Sequence, residues 1–128
     1  MKLLLDTHTF LWWTTEDPQL SSHASELIAD GHNELFLSVV SIWEISIKTA
    51  RGKLILPEEP AAYLASRMSL YRIAPLSVQM NHALQVYTLP MHHADPFDRL
   101  LVAQSQVESL ALISKDEEIR RYDVEVIW

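Results

Sequence analysis

At 128 residues and 14.7 kDa the chain has room for one domain around one continuous core, spanning residues 1–128, and a second domain is excluded. Hydrophobic residues at 48% and charged residues at 21% match ordinary soluble composition and exclude disorder or a fibrous repeat, while the absence of cysteine excludes disulfides, thiolate zinc sites and a cysteine nucleophile. The net charge of −7 speaks against a simple basic surface for nucleic acid.

In chain order, Lys2-Leu3-Leu4-Leu5 is a short apolar run ending at Asp6, which predicts a buried first strand. Residues 7–13 read as a short helix stopped by Thr15-Glu16-Asp17-Pro18, and Ser21 or Ser22 caps a second helix running to about Asp30, with Gly31 at its end. Residues 34–37 form another strand. A helix over 39–51 follows, with Val40, Trp43, Ile47 and Ala50 on one apolar stripe and Gly52 as its stop. Residues 54–60 are an extended connection, 61–70 a helix, 71–74 a third strand and 77–87 a further helix. After the loop at 89–94, Asp95-Pro96 opens a helix to about Ser109, with Pro96 in the first turn where a missing N–H costs nothing. Residues 110–114 and 124–128 are the last strands. Strands alternating with helices predict an α/β fold, a three-layer α/β/α sandwich on a central, mostly parallel sheet of about five strands.

No apolar run approaches the ~18 to 20 residues of a membrane span, and Met1-Lys2 leads straight into a strand rather than a signal peptide. The expectation is a cytoplasmic protein with no membrane association.

In an open parallel sheet, ligands bind beyond the carboxyl ends of the strands. Four acids occupy such places: Asp6 after the first strand, Glu44 near the start of the helix after the second, Asp98 opening the helix after the His92-His93 loop, and Asp116 after the 110–114 strand. Each also has a purely structural reading. Asp6 is a good cap for the first helix, Ser41-Ile42-Trp43-Glu44 matches a capping box, and Glu44 can pair with Lys48. Asp95 and Asp98 suit a helix start, and Asp116 can cap a short helix over 117–121. Four acids converging on one end of one sheet would repel one another strongly unless a cation joined them. Such a cation would also reverse the local field for a phosphate. Oxygen donors of this kind suit Mg²⁺ or Mn²⁺ better than zinc.

His92 and His93 precede Asp95, but neighbouring residues point different ways and no helical His pair supports them, so a loop or packing role is expected. His8, His23, His32 and His82 show no informative spacing. Trp12, Trp13, Trp43 and Trp128 read as core aromatics, with stacking on bases as the alternative.

Taken together, Leu4-Leu5-Asp6-Thr7-His8, Ser41-Ile42-Trp43-Glu44-Ile45, the block His93-Ala94-Asp95-Pro96-Phe97-Asp98-Arg99-Leu100-Leu101-Val102-Ala103-Gln104, and Ile113-Ser114-Lys115-Asp116 resemble the PIN-domain family, in particular VapC-like toxins of bacterial type II toxin–antitoxin systems. The resemblance spans nearly the whole chain, and the His93–Gln104 block is its most specific part. It implies a PIN-like fold and a Mg²⁺- or Mn²⁺-dependent endoribonuclease. Asp6, Glu44, Asp98 and Asp116 would be its catalytic and metal-site residues, Asp95 an extra ligand or water-holding group, and Thr7 and Ser114 helpers through their hydroxyls. It also implies RNA as substrate, a homodimer, and inhibition by a cognate antitoxin. Here Ser-Lys-Asp replaces the commoner Thr-x-Asp around Asp116 and keeps the hydroxyl. Arg99 reads as a partner in a structural ion pair rather than a phosphate contact.

Two competitors remain. An aspartyl-phosphate phosphatase would need Asp-x-Asp where Asp6-Thr7-His8 stands, and a receiver domain would need an acid where Ala74-Pro75 stands. A domain that binds RNA or protein without catalysis would use the same acids only as caps.

Overall fold

Five short apolar segments pair side by side into one sheet: β1 (Lys2–Leu5), β2 (Glu34–Ser38), β3 (Ile73–Leu76), β4 (Ala111–Ile113) and β5 (Val126–Ile127). The computed structural model describes residues 1–128. The strand order is β3-β2-β1-β4-β5 and every pairing is parallel, which sharpens the expected mostly parallel sheet.

Six helices cover the sheet: α1 (Thr7–Thr14), α2 (Ser22–Ala29), α3 (Val39–Ala50), α4 (Pro60–Leu70), α5 (Met80–Gln85) and α6 (Pro96–Glu108). Because strand side chains alternate, Leu3 and Leu5 enter one core with Phe10, Ile28, Ile45 and Tyr63. Leu4 enters the other with Leu101, Val102 and Leu112. Each such burial contributes roughly 1.5–3 kcal/mol, so apolar residues on both faces of β1 hold the three layers together. Helix α3 supplies Val40 to one core and Ile45 to the other, and therefore lies across the carboxyl edge of the sheet.

The chain runs outward from β1 to β2 and β3, then returns to lay β4 and β5 on the other side. Strand order thus reverses between β1 and β4, and a crevice opens beyond their carboxyl ends. Pro75 sits in β3, an edge strand, where its missing N–H leaves no rung of the sheet unpaired.

Several local expectations change. The third strand lies two residues later than 71–74, because Arg72 takes a positive φ of 55° to turn the chain out of α4. The helix expected over 77–87 is shorter: Gln79 is its N-cap, with reciprocal bonding to His82, and a 3₁₀ turn at Val86–Thr88 follows. The Ser41–Glu44 capping box does not form, since Ser38 caps α3 through the Val40 N–H and leaves Ser41 and Glu44 inside the helix. Trp43 is 58% exposed, packed edge-on against Phe97 rather than in the core. The buried face of α3 is instead Val40, Ser41, Glu44 and Ile45, which turns a carboxylate inward.

Candidate active site

The crevice at the strand-order reversal is a cavity of about 430 Å³ lined by Asp6, Thr7, Glu44, Asp95, Asp98 and Asp116, with His8, Trp12, Lys48 and Lys115 around them. All five sequence-predicted acids therefore face one space. Each is delivered by a different feature of the backbone.

Asp6 ends β1 and caps α1, its Oδ1 accepting the Thr9 N–H at 2.8 Å. The Thr9 hydroxyl donates to the Ile113 carbonyl at 2.9 Å, and the Asp6 N–H donates to the same carbonyl at 3.2 Å, so the end of β1 is tied to the end of β4. Burial pushes the Asp6 carboxyl up, while hydrogen bonds from Ser114 and Thr9 oppose the rise.

Glu44 points inward from α3. Its Oε1 lies 2.6 Å from the Thr7 hydroxyl, and its Oε2 accepts from Lys48 at 2.6 Å, one turn along the helix. Ser41 Oγ lies 2.9 Å from the same Thr7 hydroxyl. Both oxygens of Glu44 are thus occupied by protein groups, and the helical pairing with Lys48 expected from the spacing is present.

Asp95 caps α6, accepting the Phe97 N–H at 2.9 Å and the Asp98 N–H at 3.3 Å. Asp116 follows β4, its N–H donating to Ser114 Oγ at 3.1 Å and its Oδ1 accepting the Glu118 N–H at 2.8 Å. The short helix expected over 117–121 is a 3₁₀ turn at Ile119–Arg121.

Asp98 differs from all of these. It sits in the first turn of α6 and leaves the capping to Asp95. Its Oδ2 lies 3.5 Å from His93 Nε2. Desolvation pushes its carboxyl up to about 8, and the charges of Asp95, Asp116, Asp6 and Glu44 add to the rise. A carboxyl raised first by burial and then by four neighbouring carboxylates sits where a bound cation would be favourable.

His93 was expected to be a loop or packing residue. It does lie in the loop before α6, yet its ring turns toward the acids, where a ligand atom of His93, Asp98 and Asp116 can lie within 4.8 Å of one another. Arg99, expected to form an ion pair, is buried and donates instead to the Pro90 carbonyl and the Tyr122 hydroxyl, each at 3.0 Å. His8 and Lys115 lie inside two of the quoted motifs without a role assigned there, and Trp12 was expected in the core with base stacking as the alternative; all three line the crevice. Lys115 Nζ lies 5.8 Å from the centroid of the Trp12 ring, and His8 stacks on Trp12 at 5.5 Å.

The donor set is oxygen-rich, contains no thiolate, and crowds five carboxyl groups into one crevice. Those are the features a hard divalent cation such as Mg²⁺ or Mn²⁺ requires, and the residues fit one. Asp98, Asp6 and Asp116 each keep an oxygen that no backbone cap uses.

Comparison with known proteins agrees with this architecture. A family model described as PIN domain matches residues 3–125. Ribonuclease VapC22 of Mycobacterium tuberculosis (strain ATCC 25618 / H37Rv) is 26% identical over 121 residues, covering 94% of this chain and 91% of that one. Ribonuclease VapC16 of the same organism is 41% identical over 56 residues, covering 44% of this chain and 40% of that one. Among solved structures, VapBC2 from Rickettsia felis bound to a DNA fragment from its promoter superposes with a TM-score of 0.71 at 13% identity, covering 99% of this chain and 98% of that one. VapBC-1 from nontypeable Haemophilus influenzae superposes with a TM-score of 0.68 at 17% identity, covering 99% and 97%. At such identities the structures share a fold, and the family model, matching almost end to end, settles the membership: this chain belongs to the PIN domain family.

Proposed function

We propose that the crevice is the active site of a Mg²⁺- or Mn²⁺-dependent endoribonuclease, and that the chain is the toxin of a type II toxin–antitoxin pair. The observation that carries the reading is the convergence of Asp6, Glu44, Asp98 and Asp116 on one pocket, with Asp98 pushed up to about 8 among them. The names of the relatives, both ribonucleases, support the reaction. A structural neighbour that is a toxin–antitoxin complex from Klebsiella pneumoniae supports a cognate antitoxin as partner.

Asp6 and Asp98 would hold the cation directly, and Asp116 would join them. Glu44, with both oxygens occupied by Thr7 and Lys48, would act through water. Asp95, committed to capping α6, would hold the outer solvent. When bound, a divalent cation supplies activation of water and relief of the charge that builds on the phosphorane and leaving oxygen. Thr7 and Ser114 fix the rotamers of Glu44 and Asp6, so those carboxylates need not reorganise during the reaction. Lys48 and Lys115 at the rim offset the acidic pocket for an incoming RNA backbone, and Trp12 beside them offers a face for a base. With a cation bound, this arrangement would let a chain of net charge −7 hold a phosphate.

A site made only of helix caps would also use Asp6, Asp95 and Asp116, all of which do cap. Asp98 caps nothing, and its placement is what separates the readings. The test is calorimetric titration of the purified, antitoxin-free chain with Mn²⁺, beside cleavage of total RNA by wild type and Asp98→Asn. Metal binding and cleavage, both lost in the variant, support the nuclease. A folded wild type that neither binds Mn²⁺ nor cuts RNA would leave a non-catalytic binding domain as the better account. Light scattering of the same sample tests the homodimer, expected at twice the 14.7 kDa of one chain.

A further inference from the structure

The loop between the 3₁₀ turn at Val86–Thr88 and α6 carries a partly buried histidine that the proposed chemistry does not yet use. His93 has a side chain only 15% exposed, and its Nε2 is fully buried with no hydrogen-bond partner inside normal bonding distance. An orphaned ring nitrogen in such a place needs a physical account.

The neighbouring hydrogen bonds supply it. Arg99, anchored in α6, directs one Nη1 hydrogen to the Pro90 carbonyl and the other to the Tyr122 hydroxyl, each at 3.0 Å. The Tyr122 oxygen also receives the His93 backbone N–H at 3.4 Å. Both its lone pairs are then used. One proton remains on that hydroxyl, and His93 Nδ1 lies 2.9 Å away to accept it. A ring that accepts at Nδ1 carries its own hydrogen on Nε2, and Nε2 faces Asp98 Oδ2 at 3.5 Å. The opposite tautomer would require the Tyr122 oxygen to accept three hydrogens while its own proton went unpaired in the interior.

We propose that His93 is a positioning residue: Arg99 and Tyr122 fix its tautomer, and its Nε2–H orients the Asp98 carboxylate toward the cation. The inference rests on the metal-site reading of Asp98. A nitrogen bearing hydrogen cannot bind a metal, so His93 acts through Asp98 rather than as a ligand. Asp98 has special need of such a partner, because Asp6, Glu44, Asp95 and Asp116 are each held by hydrogen bonds to backbone or hydroxyl groups, whereas Asp98 caps nothing. Partners that orient a ligand in this way are worth about 10- to 100-fold in metal affinity or activity.

The experiment has three parts. In metal-free protein labelled with ¹⁵N-histidine, the His93 ring, assigned by its disappearance in His93→Gln, is expected to show hydrogen on Nε2 and a bare Nδ1. Tyr122→Phe is expected to remove that preference. With Mn²⁺ bound, pulsed electron paramagnetic resonance is expected to show no directly coordinated ring nitrogen. By calorimetry, His93→Ala is expected to weaken Mn²⁺ binding by about 10- to 100-fold and to lower kcat with little change in KM for RNA. His93→Gln, whose amide can donate from a similar place, is expected to recover most of that loss. Hydrogen on Nδ1, a coordinated nitrogen, or a His93→Ala protein with wild-type Mn²⁺ affinity would each overturn the assignment. If the wild type binds no Mn²⁺, the nuclease reading fails by itself. The tautomer still decides whether His93 donates to Asp98.

Discussion

Two buried polar clusters flank α6, and they are built on opposite principles. On one side, Ser38 donates to Gln104 Oε1, Gln104 Nε2 donates to the Ser77 carbonyl at 3.3 Å, and His82 accepts the Gln79 N–H at Nδ1 while facing Glu108 from Nε2 at 3.2 Å. Donors there meet acceptors, and one negative group faces one ring. On the other side five carboxylates crowd one crevice, and Asp98 is forced up to about 8. The first cluster stabilises the fold. The second costs stability in the absence of a cation, as the proposed metal site predicts.

The sharpest way to break the comparison is to neutralise one group on each side. Asp98→Asn is expected to lower RNA cleavage by 100-fold or more, on the order of the loss when a charge-stabilising group is removed, while the melting temperature of the metal-free protein holds or rises. A fall in stability with cleavage intact would reassign the acid to structure. Metal should act only on the crevice. Mn²⁺ at 100 times its dissociation constant is expected to stabilise the wild type by about 2.7 kcal/mol in thermal melts and to leave Asp98→Asn unmoved.

Gln104→Ala is the reverse case. It strands the Ser38 hydroxyl hydrogen and the Ser77 carbonyl, so a loss of about 1–3 kcal/mol is expected by denaturant titration, with cleavage per folded molecule unchanged.

Acidity gives a finer test. The folded value of Asp98 lies above its unfolded value of 3.8, so the folded state holds a proton that the unfolded chain has released. Its contribution is fully present below about pH 4 and is lost as pH rises through about 8. Asp6, also raised, adds in the same direction. Melting temperatures of metal-free protein, with the other groups common to both proteins, should therefore decline more steeply over this range in wild type than in Asp98→Asn. Equal slopes would show that Asp98 is not held protonated. The smallest effect belongs to Lys115→Met. Lys115 is exposed, and its contact with the Trp12 ring contributes only about 0.5–1 kcal/mol, so stability should scarcely move while RNA binding weakens, as read by filter binding at low salt.

How much of this was legible depends on how local each signal is. The first two strands, the cap at Asp6, a serine cap at Ser21 or Ser22, and the start of α6 at Asp95-Pro96 follow from residue types within a turn of one another, and they appear where expected, with Ser21 as the cap. The α3 stripe misled because Trp43 fits an apolar period as well as Ile45 does. Which face turns inward depends on what α3 crosses. Arg99 misled for a similar reason: beside Asp98 in sequence, it reaches away to Pro90 and Tyr122.

By itself the sequence determined an α/β chain without thiol chemistry, four acids where strands give way to helices, and a His93–Gln104 block specific enough to point to a family. Apolar alternation and capping act over a few residues, so one chain read alone suffices for them. Only the tertiary structure decided that β1 and β4 lie side by side at the reversal of strand order, bringing Asp6, Asp98 and Asp116 together across about a hundred residues of chain. The same packing turned His93 toward Asp98 through Tyr122 and set Lys48 and Lys115 at the rim. Convergence, burial and the direction of a ring nitrogen are properties of distances between remote residues, and those distances are set by how the layers pack.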